Sequence, residues 1–199
     1  MGISGHKSVL CNAFVKEFKN KYIFKFYKGR IESKKKFNIW LVRNNKINFF
    51  INFAAITSVS ECEKNKKRAL NINYKANINI VNCLNQSYLK NFKYFLFISS
   101  SHVYKPSFKL LNEKSQRVPS NYYGLTKKKF EDYIEIFKKK FNFNIGVARV
   151  FNFYSPRKTK GFFINDIISK SRKNKVIKLG SINTYRDYTD TADIVRALD

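Results

Sequence analysis

An α/β fold built on a parallel sheet with helices on both faces is predicted for this chain of 199 residues. Short apolar runs bounded by polar residues alternate with stretches of helical periodicity, the pattern of strand–helix–strand units. The length suffices for one good core, or one core with a small appendage. A hydrophobic content of 44% suits a globular chain and argues against disorder.

Taken in order, residues 1–20 read as a turn and then a helix with Val9, Leu10, Phe14, Val15 and Phe18 on one apolar face. Residues 22–27 are aromatic and alternating, as in a strand, and Lys28, Gly29 and Arg30 end it. Residues 48–55 form a short apolar run typical of a buried parallel strand. Residues 62–89 are helical overall, with Leu70, Ile72, Ile78, Val81 and Leu84 as core positions. Residues 92–99 read as a second buried strand, 119–141 as a long helix and 145–150 as a further strand. No internal repeat or low-complexity linker is visible.

Composition narrows the function classes. No apolar stretch is long and uninterrupted enough to span a bilayer, and no basic-then-apolar leader opens the chain. Cys11, Cys62 and Cys83 are odd in number, show no Cys-x-x-Cys spacing and offer no metal site. Three free thiols suit a reducing, cytoplasmic setting. The formal charge of +27 raises the question of nucleic acid. The lysines are dispersed, however, and lysine, asparagine, isoleucine, phenylalanine and tyrosine are abundant throughout, a general residue bias. No basic stripe alternates with stacking aromatics. A nucleic-acid partner is therefore not expected, and any such binding would show a steep salt dependence.

The chemistry concentrates in Tyr123 and Lys127. Four residues apart on a helix, they share one face. An ammonium there is expected to favour the phenolate and lower the tyrosine pKa. Ser100, at the end of a strand, can hold the oxygen of a bound alcohol or ketone. Such a set moves a proton while a nicotinamide moves a hydride.

Together with further blocks, these residues make the chain resemble the extended short-chain dehydrogenase/reductases, the NAD-dependent epimerase/dehydratase family, which act on nucleotide sugars. Gly2, Gly5 and Ser8 look like the family's glycine-rich turn. Asn52 to Ala55 look like the end of its fourth strand, and Asn73 to Asn77 like its fifth helix. Ser100, Tyr123 and Lys127 follow, then Arg149 to Asn152, Tyr154 to Pro156, and Arg186 to Asp190. The resemblance implies a Rossmann-like doubly wound parallel sheet over residues 1–153, binding NAD(P). Residues 154–199 would be part of a small C-terminal substrate lobe. With its first glycine at position 2, the chain is expected to lack the first strand. It is expected to cover only part of a complete member, truncated at both ends.

By the same resemblance, Tyr123 is the general acid/base, Lys127 assists it and binds the nicotinamide ribose, and Ser100 is the assisting hydroxyl. Gly2, Gly5, Ser8, Phe53, Ala54, Ala55, Asn73 and Phe151 lie on the cofactor side. Lys28 and Arg30, where NAD enzymes carry an acid, suit the 2′-phosphate of NADP, and the cofactor is NADP or NAD. Asn152 and Arg186 would contact the substrate diphosphate, an arginine being suited to that by its planar donor fork. His102 stands where related dehydratases carry a glutamate. Lack of that carboxylate speaks against a 4,6-dehydratase, whereas a histidine either moves a proton or only lines the pocket.

The run from Gly180 to Asp193 looks most like that of GDP-4-keto-6-deoxy-mannose reductases. The expected activity is reduction of a 4-keto sugar by hydride from NADPH. A nucleotide-sugar 4-epimerase, or a non-catalytic remnant, is the alternative. A homodimer is an expectation from the resemblance.

Overall fold

The computed structural model describes residues 1–86, 88–155, 163–172, 176–177 and 185–199. Five strands, β1 (Gly2–Ser4), β2 (Lys25–Tyr27), β3 (Phe49–Asn52), β4 (Tyr94–Ser100) and β5 (Asn144–Val150), form one sheet. Its order is β2-β1-β3-β4-β5, with every neighbouring pair parallel. Helices connect them: α1 (Val9–Phe18), α2 (Lys34–Arg43), α3 (Val59–Lys64), α4 (Lys66–Leu70), α5 (Ala76–Leu84) and α6 (Tyr122–Phe137). A π-helical turn, Asn71–Lys75, joins α4 to α5. Beyond β5 lie β6 (Asn152–Tyr154), α7 (Phe163–Ser171), β7 (Tyr188–Asp190) and α8 (Thr191–Ala197).

The expectation of a missing first strand is corrected here. Residues 2–4 are β1 and sit inside the sheet, Gly2 opposite Lys25 and Phe50, Ser4 opposite Tyr27 and Asn52. Gly2 therefore lies in a strand and not in the glycine turn. A Cβ on it would fall 2.7 Å from Phe50 Cδ2 and 3.1 Å from Trp40 Cη2, so glycine here makes room for two rings. The turn belongs to Gly5, with φ of +76°, a conformation glycine adopts without a Cβ penalty. Three residues, one of them glycine, carry too little alternation to read as a strand.

Alternation along the longer strands sends side chains into two cores. Phe95 and Phe97 face α2, α5 and α6, with Phe37, Leu41, Phe50, Ile80, Leu84 and Phe130. The Phe97 and Phe130 rings meet edge-on at 4.6 Å. Leu96 and Ile98 face the other side, with Ile3, Phe14, Ile51 and Val195. Full burial of each such side chain is worth roughly 1.5–3 kcal/mol. Val195 comes from α8, so the last helix of the stretch expected as a substrate lobe packs on the sheet. Side-chain caps define the helix starts: Ser8, Ser33, Ser58 and Asn121 each accept a bond from a first-turn amide.

Candidate active site at the carboxyl ends of the strands

From β1 the chain passes through α1 to β2 on one side, then returns through α2 to β3 on the other. The strand order thus reverses at β1/β3, and in such sheets ligands bind outside the carboxyl ends at that point. The Gly5 turn lies there. A Cβ on Gly5 would be 2.5 Å from both Ala54 N and Phe53 C, so the turn is pressed against the end of β3. Ser8 N donates to Gly5 O at 2.8 Å, and Ser8 Oγ accepts from Cys11 N at 3.1 Å, capping α1.

Gly5, Ser8, Ala54 and Ala55 gather at this edge. Phe53 contributes only backbone, because its ring is buried 5.9 Å from that of Phe14. Lys28 and Arg30 are exposed at the end of β2, where Arg30 Nε lies 3.3 Å from Glu32. A left-handed glycine, a helix N-terminus without an acid in its first turn and two flanking cations fit a dinucleotide's phosphates.

A buried polar chain links this edge to the helix of Tyr123. The Ser4 hydroxyl donates to Asn52 Oδ1, which also accepts from Ala54 N at 3.0 Å. Asn52 Nδ2 donates to Asn77 Oδ1 at 2.7 Å, and Asn77 Nδ2 to Asn73 O at 2.9 Å. Asn73, fully buried in the π-helical turn, bonds the backbone of Ile56 in both directions at 2.9 Å and donates to Thr126 Oγ1 at 3.2 Å. Thr126 in turn donates to Tyr123 O at 2.7 Å. Asn73, expected on the cofactor side, has its amide engaged in bracing Ile56 and α6. The spacing of four between Asn73 and Asn77 is the only sequence signal for this chain of amides.

The serine run divides by face. The Ser99 hydroxyl donates to Glu131 Oε1, away from Tyr123. Ser100 caps the turn Ser101–Val103, accepting from His102 N at 3.3 Å, and its hydroxyl acts on the Tyr123 phenol in favour of the phenolate. Tyr123 and Lys127 are both buried on one face of α6.

Their protonation departs from expectation. Burial pushes the Tyr123 phenol up to about 12, outweighing the opposing influence of Ser100. Lys127 does not offset this: its Nζ donates to Ile98 O at 2.8 Å and stands 5.9 Å from the Tyr123 ring centre. Burial also draws the Lys127 ammonium down to about 8. The expected lowering of the tyrosine pKa is therefore overturned in this state by desolvation. Cys62, buried beside the pair with its thiol on Ile56 O at 3.6 Å, was not singled out by the sequence.

Downstream, Asn152 lies in β6, opposite Tyr188 of β7, two residues after the exposed Arg186. Arg186, expected with Asn152 at the substrate diphosphate, thus precedes by two residues the strand partner of Asn152. The positive charge of Arg186 also reaches His102. The Phe151 ring tilts against Tyr104 at 6.3 Å and lines a cavity of about 760 Å³ on the α1/α8 side of the sheet. That cavity touches none of Ser100, His102, Tyr123 and Lys127, so its size does not mark the chemistry. Pro156 and residues 180–184 of the quoted motifs lie outside the described residues. No helix among the described residues is long and apolar enough to cross a membrane.

The fold is a dinucleotide-type α/β sheet, with Ser100 at the end of β4 and Tyr123 and Lys127 buried on α6. The chain belongs to the NAD dependent epimerase/dehydratase family, whose model matches residues 4–199. It is 30% identical over 196 residues to the dTDP-D-glucose 4,6-dehydratase of Dictyostelium discoideum, covering 88% of this chain. It spans 43% of that relative's length. Among solved structures it resembles UDP-glucose 4-epimerase of Thermotoga maritima with UDP-glucose, at a TM-score of 0.88 and 21% identity. That match covers 99% of this chain and 72% of the other. RMD from Pseudomonas aeruginosa complexed with NADPH matches with a TM-score of 0.82 and 20% identity, over 99% and 72% of the two chains.

Proposed function

We propose that the chain carries the catalytic half of an NADP- or NAD-dependent oxidoreductase that reduces a 4-keto nucleotide sugar. The observation that carries this reading is the burial of Tyr123 and Lys127, one turn apart on one face of α6, with Lys127 Nζ donating to Ile98 O of β4, two residues before Ser100. Gly5, Ser8, Ala54 and Ala55 would hold the dinucleotide phosphates. Lys28 and Arg30 favour the 2′-phosphate of NADP by charge. When bound, the nicotinamide supplies hydride.

Tyr123 gives its proton to the sugar oxygen, and Ser100 holds that oxygen in place. A buried phenol pushed up to about 12 is protonated at neutral pH and ready to donate. Lys127, drawn down to about 8 and still mostly charged at pH 7, offers its positive charge to the phenolate that remains. Asn152 and Arg186 bind the diphosphate. The same resemblance supports a homodimer through α6 and the helices around Asn73.

A sugar 4-epimerase is the second reading, favoured by the close fold match to the Thermotoga epimerase. Incubation with NADPH and a nucleotide 4-keto sugar separates the two. Stoichiometric loss of NADPH supports the reductase. Interconversion of 4-hydroxy sugars without net cofactor change supports the epimerase. Neither reaction, with cofactor bound, would sink both.

A further inference from the structure

Asn121 stands two residues before Tyr123 and caps α6. Its Oδ1 accepts from Gly124 N at 2.9 Å, a bond only the amide oxygen can make, so the cap settles which way the amide faces. The other end, Nδ2, lies 2.9 Å from His102 Nδ1. An amide nitrogen only donates, so Nδ1 must present its lone pair, and the ring proton of the neutral imidazole sits on Nε2. Protonating Nδ1 would set two donors face to face.

The surroundings act in the same direction. The Tyr123 ring meets the imidazole edge-on at 5.5 Å and stays neutral at ordinary pH. Burial and the Arg186 charge both hold the imidazolium below its usual range. No carboxylate contact to His102 offsets them among the described residues.

We propose that Asn121 locks His102 as the neutral Nε2–H tautomer, making it a fixed hydrogen-bond donor beside Tyr123 that takes no part in proton transfer. As to the ligand, a sugar oxygen, the proposal rests on the nucleotide-sugar reading above. A general base needs a free lone pair. Nε2 already carries hydrogen, and the lone pair of Nδ1 is engaged by Asn121. The position that bears a carboxylate in dehydratases therefore supplies no base here. The residue narrows the chemistry toward steps in which Tyr123 alone moves the proton. Asn121 is a positioning residue in this arrangement.

The test is a long-range proton–nitrogen correlation spectrum of the chain labelled with ¹⁵N-histidine, in which only His6 and His102 report. The expected pattern for His102 at pH 7 is a protonated Nε2 and a bare Nδ1. In Asn121→Asp the carboxylate still caps α6 and turns an acceptor toward the ring. Its spectrum should move to a protonated Nδ1, and the imidazole pKa should rise by about one unit or more. Should that variant fail to fold, Asn121→Ser keeps a capping oxygen but offers no amide donor, and a mixture of tautomers is expected. A protonated Nδ1 in the unaltered chain, or tautomers indifferent to residue 121, would overturn the proposal. The spectrum needs no turnover, so a locked Nε2–H signal in a chain that reduces no keto sugar counts against the reductase reading alone.

Discussion

Glu131 of α6 and Arg149 of β5 grip each other at two points, Nη2 at 2.8 Å and Nε at 3.0 Å from Glu131 Oε2. Arg117, from the segment before α6, adds Nη1 at 3.0 Å, and the Ser99 hydroxyl binds the other carboxylate oxygen. Arg149 Nη1 further donates to the Tyr104 hydroxyl at 2.8 Å. This clamp fixes the helix of Tyr123 against the strands that flank Ser100. Glu131 is only 2% exposed. Glu131→Ala would leave the largely buried Arg149 guanidinium without its carboxylate, while Arg117 keeps Glu135 and Asp132. A loss of about 3–5 kcal/mol is expected in urea denaturation. A loss under about 1 kcal/mol, the level of an exposed pair, would show that the clamp is not structural.

At the glycine turn, Gly5→Ala sets a Cβ into the backbone of Phe53 and Ala54 and forces φ of +76° on an L-residue. Strain of this kind costs on the order of 1–3 kcal/mol. Dinucleotide affinity, followed by titration calorimetry, should fall by at least tenfold. Unchanged affinity would place the cofactor away from this turn.

Removing the phenol separates fold from chemistry. Tyr123→Phe leaves the ring packed and the backbone bond from Thr126 intact. Turnover should drop by about 10²-fold or more, the usual size of a lost acid/base group. Cofactor binding should stay within a few-fold. Turnover surviving in this variant would remove Tyr123 from the proton path.

Lys127 gives stability a pH dependence of definite sign. With its pKa drawn from 10.5 to about 8, the folded state binds fewer protons than the unfolded one between these values. Stability from this group therefore rises with pH across that window. Tyr123 and Cys11, both pushed up to about 12, act with the opposite sign above pH 10 and 9 respectively. The interval from pH 8 to about 9 is where Lys127 dominates. Between those two values the native chain should gain about 1 kcal/mol over Lys127→Met. Parallel stability curves for the two chains would show that the ammonium is not desolvated.

Much of this architecture is legible from residue patterns. β3 and β4 are apolar runs because both faces of the sheet are covered there, and such runs stand out. β1 escapes notice because its three residues include a glycine chosen for the bulk of Trp40 and Phe50, a cause that lies elsewhere in the chain. Tyr123 and Lys127 share one buried face of α6, as their spacing of four implies. The protonation balance is not legible, since it depends on how deeply α6 is buried. Asn121 and Glu131 also stay hidden: a helix cap and a mid-helix acid look ordinary until the fold shows what they face.

Binding of the dinucleotide tests the central claim most directly. Thermal unfolding of the 199-residue chain is to be followed with increasing NADPH and, separately, NADH. A ligand that binds only the folded state raises the midpoint, by an amount set by its concentration relative to Kd. A saturable rise is expected, larger with NADPH because of Lys28 and Arg30, and displaced to at least tenfold higher cofactor concentration in Gly5→Ala. A cooperative transition that neither cofactor moves would contradict a dinucleotide site at the β1/β3 crossover.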